Sequence, residues 1–277
     1  MVAFENTPRV PGRIPASQMK SPSGVNSPPT KSFALSISLP YSRAQLACAL
    51  LEEQIDVFYS PTRQVDTGIV CGFRAMPHWA SADHGLVPYT ELIRAMAGEA
   101  FGPSLFCTVL LQVFRQLAHS GDKVIRVSLE ESMLPVAPVF RLLSALLLES
   151  WIAPERLEME FRGPMAVETR AMSEEMRRAG IRVGRLVSAS GGNFEGDFEM
   201  SDFDSFTFWA PELTGSRWTI EHDRWLGRMQ DHGKVTLLAD ADGPRQIEFA
   251  RLKGFDLIEG AATGPLSPEG ELREIMS

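Results

Sequence analysis

The sequence is poor in cysteine: three in 277 residues, none in a Cys-x-x-Cys pair. Cys48, Cys71 and Cys107 each sit among apolar residues, so buried free thiols in a reducing compartment are expected rather than a disulfide frame. Basic charge is also short, with 27 Lys and Arg against 35 Asp and Glu and a formal net charge of −8. A protein that neutralises nucleic-acid phosphates needs the opposite balance. No apolar run reaches the roughly 18 uncharged residues that cross a bilayer, and the N-terminus has no continuous apolar core of a secretory leader. The expectation is a cytoplasmic protein with no membrane span and no nucleic-acid partner.

Familiar chemical signatures are missing too. Gly191-Gly192-Asn193 matches neither a dinucleotide fingerprint nor a P-loop and reads as a plain loop. Ser128 and Ser188 have no histidine at a triad-like interval, which leaves nucleophilic catalysis unsupported. The spacing of Cys71, His78 and His84 fits no structural zinc pattern. No cofactor and no metal are expected.

What is present is a large α/β pattern. Residues 1–32 carry Pro8, Pro11, Pro15, Pro22, Pro28 and Pro29 with almost no apolar periodicity. Such a segment buries too little apolar area to offset chain ordering and reads as a disordered tail. Its basic residues (Arg9, Arg13, Lys20 and Lys31 against Glu5) contrast with the acidic body. Residues 33–277 form the folded domain, in which short apolar strands alternate with amphipathic helices. Strands are expected at Lys123–Leu129, Leu157–Phe161, Ile181–Val187, Phe206–Trp209, Val235–Leu238 and Phe255–Ile258. Helices are expected between them, and Ser267-Pro268 opens a terminal one. About eight such units predict a closed (β/α)8 barrel.

The stretch Ile55–Ile93 organises the rest. Val57-Phe58-Tyr59 runs to Ser60-Pro61, turns through Asp66-Thr67-Gly68, and returns along Ile69–Phe73 to Pro77-His78-Trp79. Two short runs joined by turn chemistry read as a hairpin, and Gly85-Leu86-Val87-Pro88 leads into a helix. This layout resembles the start of EAL domains, the bacterial phosphodiesterases of the second messenger cyclic di-GMP. There a Tyr-Gln-Pro-like step precedes a strand ending in Glu-Ala-Leu-Leu-Arg-Trp; here Tyr59-Ser60-Pro61 and Arg74-Ala75-Met76-Pro77-His78-Trp79 fill those places. The resemblance covers roughly Ala44 to Pro265. It implies a TIM-like barrel of EAL type with one antiparallel strand near the start.

In that family two divalent ions held by carboxylates and an amide activate water for phosphodiester hydrolysis. The resemblance implies that these groups are largely replaced here. Arg74 stands for the name-giving glutamate, His78 for a phosphate-gripping arginine, and Ser128-Leu129-Glu130 for Asn-Leu-Ser. Glu160 is kept, but Phe161-Arg162-Gly163 ends without the second glutamate. Leu186 and Val187 lie where an Asp-Asp pair would be, and Thr207 heads the Thr207-Phe208-Trp209 stretch that replaces Lys-Ile-Asp. Ala239 takes the place of a glutamate, Asp242 shortens another, and Glu259 replaces a glutamine before the matching Gly260.

Arg74 puts positive charge where a cation is held, which costs kilocalories in a partly dry site. Glu160 is expected as a strand-end carboxylate paired with a base, Arg74 or Arg126. Asp240-Ala241-Asp242 reads as an acidic turn before a helix N-terminus. The expected function is a catalytically inactive EAL-like regulatory adaptor that binds a protein partner in bacterial signalling, with a homodimer compatible with it. The alternative is a non-hydrolysing receptor for cyclic di-GMP, or for another anion met at the mouth by Arg74, Arg162 and Arg185. The aromatic residues Phe206, Phe208, Trp209 and Trp218 are either the adaptor's contact surface or ordinary core.

Overall fold

The structure, a computed structural model, describes residues 41–96, 102–130, 136–163, 165–187, 199–210, 218–272 and Ile275. The Pro-rich stretch 1–32 and residues 188–198 of the Gly- and Ser-rich loop lie outside the described residues.

Helix α1 (Arg43–Leu51) begins at a reciprocal cap: the Ser42 side chain accepts from the Gln45 amide, and the Gln45 side chain accepts from the Ser42 amide. That satisfies two donors no helical carbonyl can reach. Strands β1 (Ile55–Gln64) and β2 (Val70–Ser81) follow as an antiparallel hairpin, and β3 (Gly85–Val87) adds to the far end of β2. Helices α2 (Tyr89–Met96) and α3 (Gly102–Leu117) lead to β4 (Val124–Glu130). The chain then alternates through α4 (Val136–Ser150), β5 (Leu157–Arg162), α5 (Val167–Arg178), β6 (Arg182–Val187) and β7 (Ser205–Trp209). It finishes with α6 (Ile220–Asp231), β8 (Val235–Ala239), α7 (Pro244–Lys253), β9 (Leu257–Glu259) and β10 (Ser267–Pro268).

Strands β2, β4, β5, β6, β7, β8 and β9 are parallel neighbours in that order, and β1 closes the ring antiparallel to both β2 and β9. The result is the expected closed eight-stranded barrel with a single antiparallel strand near the start. No helix among the described residues is long and apolar enough to cross a membrane.

Three boundaries differ from the sequence reading. The hairpin strands do not stop at Pro61 and Pro77 but run through them, to 10 and 12 residues. Proline cannot donate to a ladder and is tolerated where a strand lacks a second partner. Both meet that condition: β1 pairs with β10 through Tyr59 and with β9 only from Thr62, and β2 leaves β4 after Ala75 and meets β3 at Trp79. Ser267-Pro268 does not open a helix either; it pairs with Tyr59 and Phe58 as β10, and a 3-10 turn over Glu269–Glu271 follows.

The core lies between the strands and the helices. Ile125, Val127, Met159, Phe161, Val183 and Leu238 are all at most 2% exposed. Phe206 and Phe208 belong to this layer, each fully buried. Trp218 packs on it, with its ring 5.9 Å from Phe208 and 5.1 Å from Phe249. Of the two readings of those aromatics, core is the one that holds for these three.

Candidate functional site

Side chains alternate along each strand, and residues registered across parallel neighbours share a face. Arg74 pairs with Arg126, and Arg126 with Glu158; Ser128 pairs with Glu160; Leu186 pairs with Thr207. All of these sit on the face opposite the apolar layer, so they point into the barrel. The alternation Leu157-Glu158-Met159-Glu160-Phe161 suggests a half-exposed strand, yet all five residues are buried. The polar face meets other polar side chains inside the barrel rather than water.

Arg74 is the hub. Its Nη1 and Nη2 donate to the two oxygens of Glu160 at 2.7 and 2.9 Å, the fork geometry that matches a guanidinium to a carboxylate. Its Nε donates to Glu259 and its Nη1 also to Ser128 Oγ. The same carboxylate of Glu160 accepts from Ser128 Oγ at 3.1 Å and from Thr207 Oγ1. Glu160 is fully buried and both its oxygens are occupied.

A second tier lies one step back along the strands. Arg126 Nε donates to Glu158 Oε1 at 2.8 Å and Nη2 to Oε2 at 3.3 Å. Ser205 Oγ also donates to Glu158. Glu259 joins the tiers: its Oε2 accepts from Arg126 Nη1 at 3.1 Å and from Thr62 Oγ1 at 3.2 Å, while its Oε1 faces Arg74. Gly184 makes room for this tier, because a Cβ there would lie 2.7 Å from both Glu158 Oε1 and Ser205 Oγ.

Two guanidinium groups thus neutralise most of three carboxylates at sites no more than 8% exposed. Burial by itself pushes the Glu160 carboxyl up, but the Arg74 charge and hydrogen bonds outweigh it and hold the group down at about 2. The same opposition, with Arg126 as the cation, keeps the Glu158 carboxyl below its ordinary range. Burial pulls both guanidinium groups down, yet Glu160 and Glu259 raise Arg74, and Glu158 and Glu259 raise Arg126. Arg74, Arg126, Glu158 and Glu160 are therefore all charged at neutral pH. Buried ion pairs seldom add much net stability, but removing one partner costs heavily.

The strand ends around this hub form the barrel's C-terminal mouth. Asp240 follows β8 with φ 60°, a left-handed conformation that non-glycine residues rarely adopt. Burial, then the carboxylates of Asp242 and Glu259, push its carboxyl up to about 6. Arg162, at the end of β5, lies over the Trp209 ring at 5.5 Å. Gly260 after β9 has φ 131°, and a Cβ there would come 2.4 Å from the Ala241 amide nitrogen. Only glycine fits that step.

The sequence-predicted positions separate on this map. Arg74, Ser128, Glu160, Thr207 and Glu259 converge in one hydrogen-bonded cluster. Leu186 shares the inward face beside Thr207, and Ala239 is registered with Trp209. Val187 is buried on the opposite face, and Gly163 supplies a positive-φ turn after β5. His78 lies apart: its Nδ1 contacts the Met76 carbonyl at 2.8 Å and its ring stands against Phe58 at 5.1 Å. Burial pulls its basicity down. Arg185 is registered with Phe161 and Phe206 on the helix side, 5.9 Å over the Phe203 ring, not at the mouth. The role of Glu158, Thr62 and Ser205 is not apparent from spacing; only strand register brings them in. Among the described residues, no group of three or more His, Cys, Asp and Glu is placed to hold a metal ion.

A closed β/α barrel whose first strand is antiparallel and whose polar groups gather at the strand C-termini defines the class of protein. The EAL domain family model matches residues 43–184, and this chain belongs to the EAL domain family. No curated protein matches it. Solved structures share the fold at low identity. The cAMP-bound form of the EAL enzyme Bd1971 is 11% identical, with a TM-score of 0.74 over 84% of this chain and 69% of that one. A PaMucR phosphodiesterase in complex with c-di-GMP is 16% identical, with a TM-score of 0.71 over 83% of this chain and 98% of that one. The Xanthomonas citri FimX EAL domain, also in complex with c-di-GMP, is 13% identical, with a TM-score of 0.67 over 81% and 92%.

Proposed function

We propose that this chain is a non-hydrolysing EAL domain that acts as a cytoplasmic regulatory adaptor, binding a protein partner in cyclic di-GMP signalling. One observation carries the reading: the Arg74 guanidinium occupies the centre of the carboxylate cluster at the strand ends, with both oxygens of Glu160 and one of Glu259 bound to it. A divalent ion needs free anionic oxygens, and these are already taken by a fixed cation. The donor set therefore does not fit the pair of divalent ions that the family's hydrolysis uses. Thr207 and Ser128 complete the shell with hydroxyl donors, which favour an anion rather than a metal.

The receptor alternative draws on one feature, Arg162 over Trp209 at the mouth, since an aromatic–guanidinium pair is a stacking surface for a base. Two measurements on the purified protein separate the readings. Incubation with cyclic di-GMP and Mg2+ or Mn2+ is expected to leave the nucleotide intact, and metal-dependent turnover would overthrow the proposal. Calorimetric titration with cyclic di-GMP is expected to show no saturation in the micromolar range; saturation there moves the assignment to the receptor. Recovery of a stoichiometric protein partner at native expression supports the adaptor role, and its repeated failure counts against it.

A further inference from the structure

The barrel has a second opening, at the N-terminal ends of the parallel strands, away from the mouth described above. A cavity of about 430 Å3 enters there, within the size range of small-molecule sites. Its floor is the Arg126–Glu158 pair, whose charges are already matched to each other. Val124, Val235 and Leu257 supply apolar wall.

The rim is electrically divided. Asp66 follows β1 and Asp256 precedes β9, and these two strands are adjacent in the barrel. Arg182 opens β6, four strands round the ring of eight from β1 and three from β9. Acid and base therefore face each other across the opening. Asp66 and Arg182 are both exposed, and neither joins an ion pair among the described residues. Asp256 commits one oxygen, Oδ2, to the Thr236 amide and hydroxyl at 2.8 Å each.

We propose that this opening binds a small zwitterion whose ammonium and carboxylate groups are held apart by a short apolar body, of the ω-amino acid type. The ammonium lies at Asp66 and Asp256, the carboxylate meets Arg182, and the methylene chain covers Val124, Val235 and Leu257. A ligand of one charge satisfies one side of the rim and is repelled by the other. The inference uses none of the residues at the C-terminal mouth, so it stands or falls separately from the proposed function.

The test is calorimetric titration of the full chain with 4-aminobutanoate and 6-aminohexanoate, with butylamine and butanoate as single-charge controls. One zwitterion is expected to bind per chain, at least about tenfold more tightly than either control, because a charged hydrogen bond is lost in each. Asp66→Asn and Arg182→Gln are each expected to weaken it about tenfold while leaving the melting temperature in place, since both side chains are exposed. The proposal is overturned if neither amino acid saturates, if a control binds as tightly, or if both substitutions leave the affinity unchanged.

Discussion

The two faces of the barrel strands are equally dry and chemically opposite. On β5, Met159 and Phe161 face the helices at 0% and 1% exposure, while Glu158 and Glu160 face the interior at 3% and 0%. The outer face is held by apolar area, a non-directional force that tolerates substitutions of similar volume. The inner face is held by directed contacts: two guanidinium groups serve three carboxylates, and each carboxylate also accepts from a hydroxyl. Burial alone does not distinguish a core from a charged site; only the partner list does. A network of this kind is stable when complete and costly when one member is missing.

That contrast can be broken most severely at Arg74. Arg74→Met strands Glu160 and Glu259 without their cation, and urea denaturation is expected to show a loss of about 3–5 kcal/mol. Adding Glu160→Gln to that variant is expected to restore a good part of the loss, which marks the interaction as charge pairing rather than shape. On the other face, Phe161→Ala is expected to cost about 3–5 kcal/mol through cavity formation. No inner-face substitution should rescue it. A rescue of Phe161→Ala by Glu160→Gln would erase the distinction between the faces.

Smaller perturbations sharpen it. Gly184→Ala drives a methyl against Glu158 and Ser205, and about 1–3 kcal/mol of destabilisation is expected in the same assay. The pH dependence runs in two directions. Glu160 is held at about 2, below its ordinary 4.5, so its contribution is complete above pH 4.5 and drains away as pH falls toward 2. Asp240 is raised from 3.8 to about 6. Its contribution is present below pH 3.8 and lost as pH rises through 6, so above that the ionised group is a burden. Asp240→Asn is therefore expected to stabilise the protein by about 1–2 kcal/mol at pH 8, with the gain vanishing below pH 4. A gain that persists at pH 3.5 would show that the side chain acts through something other than its charge.

Much of this molecule was readable along the chain. The hairpin Ile55–Ser81, the alternation of strands and helices, and the glycine stops at Gly180 and Gly254 follow from local chemistry: turn residues, apolar spacing and left-handed caps at φ 86° and 75°. Arg74 and Glu160 were legible as opposite charges at strand ends. Pro61 and Pro77 misled, because a proline stops a strand only where the missing donor is needed, and that depends on which neighbour lies alongside. Phe206 and Phe208 kept two readings for the same reason: an apolar side chain looks identical whether it meets a helix of its own chain or another molecule.

Local sequence was enough to set the barrel, because periodicity and turn chemistry act over a few residues and each element could be recognised before any other was placed. The pairing of Arg74 with Glu160 and Glu259, and of Arg126 with Glu158, joins positions 32 to 185 residues apart. The chain alone leaves Glu160 with either Arg74 or Arg126. Strand register and closure of the ring put the Arg74 fork on Glu160 and the Arg126 fork on Glu158, because only then do the groups come within hydrogen-bond reach.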